Sequence, residues 1–160
     1  MEEGVSGKDC ALSYTVIPAV VFCLLMPVAA SYALNLSTGT GGTNAQAVHA
    51  LGVTGQDVNV ALISGGNART THEAFIDGNG IGHVFAHDFA GDGLLLSDHD
   101  TWMAGIVVSG GGSVFGDYVG VAYGADLHSA RVSDSNGMVS SIFLTDALNE
   151  LINRHDCRVI

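Results

Sequence analysis

The sequence has 160 residues, of which 48% are hydrophobic and only 13% charged, with 22 glycines and a formal net charge of -11. That length is enough for one domain with a core of its own. Five lysines and arginines cannot neutralise a series of phosphates, so nucleic acid is excluded as a partner. A low charge content with abundant glycine, alanine and valine is typical of an α/β domain whose strands are buried on both faces.

The N-terminal segment carries no charged residue from Ala11 to Leu34, and residues 15–30 are nearly all apolar. Small residues follow at positions 28–33, as a signal peptidase requires. Residues 1–33 are therefore predicted to be a secretory signal peptide or, alternatively, a single membrane anchor. On either interpretation the protein is secreted or anchored on the outside of the cell. The three cysteines form no spacing that identifies a compartment.

Residues 34–44 are rich in glycine, serine and threonine and are predicted to be a linker, which leaves residues 45–160 as the folded domain. The first strong element is the apolar run Val58–Ile63, which has the length and composition of a central parallel strand. Ser64 follows this run directly. Because ligands and catalytic groups lie beyond the carboxyl ends of parallel strands, Ser64 is a candidate site residue.

Later segments alternate between strand and helix patterns. This alternation predicts right-handed crossovers and a mostly parallel sheet. His99 precedes an apolar run that is predicted to form a buried helix, so the histidine is expected near a helix N-terminus. The predicted elements are a short helix at 45–51, strands at 83–89, 125–132 and from 157, and helices at 101–108 and 140–154.

The order of these segments resembles the N-terminal half of the subtilisin-like serine peptidases, the subtilases. The resemblance covers residues 45–160 and is carried by the segments VNVALIS, THEAF, DHDTWMAG, YVGVAYGADLHSARV and SSIFLTDALNELINRHDCRVI. It implies a three-layer α/β fold with a mostly parallel sheet, of which about the first four core strands are present. It also implies serine endopeptidase ancestry, a peptide or protein substrate, and no cofactor.

The catalytic residues are only partly kept. The family's pattern His-Gly-Thr-His-Val-Ala-Gly corresponds here to residues 99–105, so His99 stands at the general-base position. Ser64 stands where the family has its catalytic aspartate. The nucleophilic serine and the oxyanion-hole asparagine belong to the family's C-terminal half, which would follow Ile160. The resemblance therefore implies a degenerate or truncated domain that is inactive alone.

Other sites remain as alternatives. By resemblance, Ser135, Asn136 and Gly137 correspond to the segment that pairs with extended substrate, and peptide binding by strand addition could persist without catalysis. Ala74 stands where subtilisin has a calcium-binding aspartate, so that calcium site is not expected. A metal-binding module using Asp98, His99, Asp100 and His87 is the remaining alternative. The fourth strand is expected to leave an apolar sheet edge open to association.

Overall fold

The computed structural model of the protein describes residues 38–111 and 118–160, so the predicted signal or anchor segment 1–33 lies outside the described residues. A four-stranded parallel sheet organises the described part, and helices join successive strands. The elements are helix α1 (Ala45–His49), strand β1 (Asn59–Ser64), a 3₁₀-helix (Glu73–Phe75), strand β2 (Val84–Asp88), helix α2 (Asp98–Val108), strand β3 (Asp126–Arg131), helix α3 (Ser141–Asn153) and strand β4 (Cys157–Val159).

The strand order in the sheet is β2-β3-β1-β4, and every pairing is parallel. The predicted α/β class and the central position of the first strand are confirmed. Six residues of β1 pair with six of β3, from Asn59 beside Asp126 to Ser64 beside Arg131. β4 pairs with β1 through only two residue pairs and with an irregular register, so it is a short, weakly held edge strand.

Each face of the sheet buries its own apolar cluster. Val60 and Leu127 point to the face covered by α2, where Ala104 and Val108 are buried. Ala61 and Ala130, an odd number of positions further along their strands, point to the opposite face and pack with Leu151 of α3. Side chains alternate between the two faces of a strand, so the sheet lies between helices in a three-layer arrangement.

Serine residues begin both long helices. The Ser97 hydroxyl accepts a hydrogen bond from the backbone N–H of Asp100 at 3.2 Å, and the Ser140 hydroxyl accepts one from Ile142 at 3.2 Å. Each bond satisfies a backbone donor in the first helical turn that lacks a partner within the helix. Helix α3 begins and ends within one residue of its predicted bounds, 140–154.

Helix α2 differs from the prediction in its burial. The sequence predicts a buried helix, but Trp102 is 70% exposed and Met103 and Ile106 are also exposed. The reason is periodicity: Ala104 and Val108, four residues apart, face the sheet, whereas Trp102 and Ile106 project from the opposite side. Within the described ranges, the chain has no helix that is both long and apolar enough to cross a membrane.

Candidate functional site

The carboxyl end of β1 is joined to the start of α2 by short backbone contacts. The backbone N–H of Asn67 donates to Leu95 O at 2.7 Å, and that of Ser97 donates to Asn67 O at 2.9 Å. A Cβ on Gly66 would lie 2.7 Å from Asp100 Oδ2 and 2.7 Å from Ser97 Cβ, so only glycine allows this approach.

Threonine completes the same junction. The Thr101 hydroxyl donates to Ser97 O at 2.7 Å and accepts from the backbone N–H of Arg69 at 3.1 Å. Thr101 is one of the residues that the family pattern shares with this sequence, and its hydrogen bonds show why the position needs a small hydroxyl side chain. The junction fixes the start of α2 relative to the end of β1.

Ser64 and His99 stand at the two sides of this junction. Ser64 is the last residue of β1, and alternation from Val60 and Leu62 places it on the sheet face that α2 covers. His99 is the second residue of α2 and is exposed. Among the described residues, none forms a hydrogen bond or an ion pair with the His99 ring.

Three of the nearby carboxylates are paired with arginines. Arg131, the register partner of Ser64, is buried and forms ion pairs with Asp92 at 2.6 Å and Asp88 at 3.7 Å. Asp98 forms an ion pair with Arg69 at 2.9 Å. Asp100 is only 2% exposed, and its Oδ1 atom has no hydrogen-bond partner. None of these groups is hydrogen bonded to His99.

Ser135, Asn136 and Gly137 lie in an exposed turn after β3. The turn is closed by its own bonds: Asp134 Oδ1 accepts from the backbone N–H groups of Asn136 and Met138, both at 2.9 Å. The bond from Met138 is the main reason why the pKa of the Asp134 carboxyl is lowered from its ordinary value. Gly137 has a φ of 78°, a left-handed conformation that suits glycine.

A group of histidines lies on the other face of the sheet. His87 of β2, His128 of β3 and His155, just before β4, bring one ring nitrogen each within 4.8 Å of the other two. Nε2 of His87 is 2.9 Å from Nδ1 of His128, and the His155 ring centroid is 4.5 Å from that of His128. Nε2 of His155 lies 3.8 Å from Oε1 of Glu150 on α3. We call these three imidazoles the histidine cluster.

Burial and mutual proximity set the charge of this cluster. The pKa of His128 is lowered to about 4, mainly by burial and also by the neighbouring His155 and His87. Burial also lowers the pKa of His87, with His155 adding to the effect and Glu150 opposing it. His128 and His87 are therefore neutral at pH 7, and a neutral imidazole has one nitrogen whose lone pair can bind a proton donor or a metal ion.

The structure separates His87 from the other residues of the alternative metal set. The predicted set combines His87 with Asp98, His99 and Asp100, but the His87 side chain lies on the α3 face of the sheet, whereas His99 belongs to the helix on the opposite face. His128 was not considered. A usable signal was present, because His87 and His128 occupy similar positions in two successive predicted parallel strands.

No protein-family model matches the sequence, and no curated protein matches it. Among solved structures, the fold is similar to that of a subtilisin-like protease. That structure is the CspB protease of Clostridium perfringens, with a TM-score of 0.52 and 21% sequence identity. The similarity covers 66% of this chain and 27% of that chain, so this chain spans about a quarter of its neighbour's length. At this identity the comparison supports the α/β fold with a parallel sheet, as in part of a subtilisin-like domain.

Proposed function

We propose that the chain is a degenerate subtilisin-like domain of protease origin that does not itself hydrolyse peptides. The observation that carries the proposal is Ser64 at the end of the central strand, on the face that α2 covers. The similarity to a subtilisin-like protease supports the origin. His99 at the start of α2 corresponds to the general base.

A serine at position 64 cannot replace an aspartate in this role. The aspartate of a serine-protease triad holds the histidine in one tautomer and stabilises the imidazolium that forms when the nucleophile loses its proton. A hydroxyl has no charge with which to stabilise that cation, and loss of the carboxylate lowers turnover by about 10,000-fold. The carboxylates of Asp88, Asp92 and Asp98 are paired with arginines, so they do not supply the missing charge.

Hydrolysis of fluorogenic casein and of extended peptide substrates tests the proposal. The full chain and its His99→Ala variant are compared at equal concentration, with the fold of each checked by circular dichroism. We expect the same background rate for both proteins. Turnover by the wild-type chain that His99→Ala abolishes would show that the histidine still acts as a base, and the proposal would then be wrong.

Peptide binding without catalysis is the second part of this proposal. The turn that contains Ser135, Asn136 and Gly137 is exposed, which favours contact with an extended peptide. Gly137→Ala would strain the turn at its positive φ, so labelled-peptide anisotropy should fall for this variant if the turn is the binding edge. Equal affinity for wild type and variant would argue against that location.

Location and association complete the proposal. Export rests on the apolar residues 15–30, which lie outside the described part of the chain. Association rests on β4, an edge strand whose last residue, Val159, is exposed, as is the following Ile160. Mass spectrometry of the mature N-terminus after expression with export machinery distinguishes a cleaved signal peptide from a retained anchor.

A further inference from the structure

We propose that His87, His128 and His155 form a binding site for a divalent transition-metal ion, with zinc as the best-suited metal. Three imidazoles from three separate segments converge on one point, and each offers a ligand atom within 4.8 Å of the others. The chain has seven histidines in all, so nearly half of them meet at this position. Imidazole nitrogen is a preferred zinc ligand, and three histidines are a known zinc-binding set.

The distances suit a tetrahedral ion. Zinc–nitrogen bonds of about 2.0–2.1 Å place two ligand nitrogens roughly 3.4 Å apart. Nε2 of His87 and Nδ1 of His128 are 2.9 Å apart, so they need to separate by only about half an ångström. The ligand nitrogen of His155 lies within 4.8 Å of the other two. Ring contacts support His128, which stacks on Phe85 with centroids 5.2 Å apart.

The sheet makes this convergence possible. His155 precedes β4, and β1 lies between β4 and β3 in the sheet. The β1 residue directly beside His128 is Ala61, whose methyl group leaves space above the sheet for the His155 ring. The Nδ2 group of Asn59 donates to His155 O at 2.6 Å, which fixes the backbone of that residue beside β1.

Glu150 is the acidic residue beside the histidine cluster. Its Oε1 atom is 3.8 Å from Nε2 of His155, and the same side chain lines an open groove of about 520 Å³ between α3 and the end of β2. Zinc bound by three histidines takes a water molecule as its fourth ligand. The formal net charge of -11 also favours approach of a cation.

The bound ion would hold β4 in the sheet. β4 has only two residue pairs with β1, and its register is irregular. A metal that joins His155 to His87 and His128 links this edge strand to β2 and β3 across β1. Metal binding then adds directly to the stability of the folded state, since the unfolded chain has no preformed site.

The site is independent of the proposed degenerate catalytic site. The histidine cluster lies on the α3 face of the sheet, and His99 belongs to the helix on the other face. Metal binding therefore goes beyond the proposed function, and either proposal can fail without the other.

Zinc titration of the full chain by calorimetry, in the absence of chelator, tests the site. We expect one zinc ion per chain with a dissociation constant of about 1 μM or tighter. Zinc at a hundred times that concentration should raise the Tm by about 5 °C or more. Hydrogen exchange should slow at Cys157–Val159, which is the segment that the ion secures.

Matched variants locate the ligands. His155→Gln and His87→Gln remove one partly buried imidazole each and should weaken zinc binding by about a hundredfold or more, while Glu150→Gln should weaken it less. His99→Gln removes an exposed histidine of the alternative metal set and should leave affinity within twofold. The cysteines are unchanged in all variants, so zinc bound by thiols would not follow this pattern.

Three results would overturn the proposal. One is a folded wild-type chain that does not bind zinc with saturation. Another is undiminished affinity in both His155→Gln and His87→Gln, with circular dichroism showing the wild-type fold. The third is an equal loss in His99→Gln, which would assign binding to the start of α2.

Discussion

Asn67 connects the strand ends around the candidate site, and its replacement tests that arrangement directly. The side chain is fully buried, and Nδ2 donates to His87 O at 2.9 Å and to Ser129 O at 3.0 Å. Asn67→Ala removes both bonds and leaves a small cavity. A net loss of about 1 kcal/mol for each bond, with about 1 kcal/mol for the cavity, predicts that the free energy of unfolding falls by about 3 kcal/mol.

Urea unfolding followed by circular dichroism measures this loss. Asn153→Ala is the matched control, since Nδ2 of Asn153 also donates to a carbonyl, that of Asn149 at 2.8 Å, but the residue is exposed. We expect a change within about 0.5 kcal/mol for the control. Asn67→Asp keeps the volume but directs a carboxylate at two carbonyl oxygens, so it should cost more than alanine at pH 7. Equal losses in Asn67→Ala and Asn153→Ala would refute the reasoning.

Three further predictions concern packing and charge. Gly120→Ala places a Cβ 2.6 Å from the backbone carbonyl carbon of Val107 and should lower the free energy of unfolding by about 2–3 kcal/mol. Gly105→Ala has open space around its Cβ and should raise that free energy by about 0.5–1 kcal/mol through α2. Urea unfolding midpoints rank the two variants, and the opposite order would contradict the described packing. Leu151→Ala, at a fully buried position, should cost about 2–5 kcal/mol in the same assay, and a loss below about 1 kcal/mol would be inconsistent with its burial. Because the pKa of Asp134 is lowered in the folded turn, the turn's stability is complete above the ordinary value of 3.8 and declines as the pH falls through the lower folded pKa. Amide exchange across the turn should therefore accelerate in acid for wild type but not for Asp134→Ala, and the same acceleration in both would exclude this carboxyl as the cause.

Local patterns were sufficient to predict the elements of the fold. The apolar run Val58–Ile63 became β1, displaced by one residue, and the period of apolar residues over 140–154 became α3. Alternation of strands and helices gave the parallel sheet. Each of these features depends on residues close together in sequence, whose spacing decides which side chains share a face.

Which residues meet at the candidate sites depends on the order of the strands in the sheet, and local sequence patterns do not show that order. Burial of α2 was overestimated because its apolar residues occupy both sides of the helix, and a single sequence does not show that Trp102 faces away from the sheet. The histidine cluster depends on the strand order β2-β3-β1-β4 and on a small residue, Ala61, between His155 and His128. The hydropathy pattern of the sequence is compatible with more than one strand order, so it does not predict that these three histidines meet.

The two faces of the sheet carry different charged groups, and each set of groups favours a different kind of site. On the α2 face, Asp88 and Asp92 neutralise the buried Arg131, and no described carboxylate is hydrogen bonded to His99. On the α3 face, the imidazoles of His87 and His128 face each other, and Glu150 is the neighbouring acid. Proton relay needs an anion paired with one imidazole, whereas a metal ion needs several neutral imidazoles together. The junction of β1 and α2 is held by backbone bonds and by Thr101, so it does not require an aspartate at position 64. The fold can therefore persist with serine at position 64, and the histidine cluster on the α3 face does not depend on that residue.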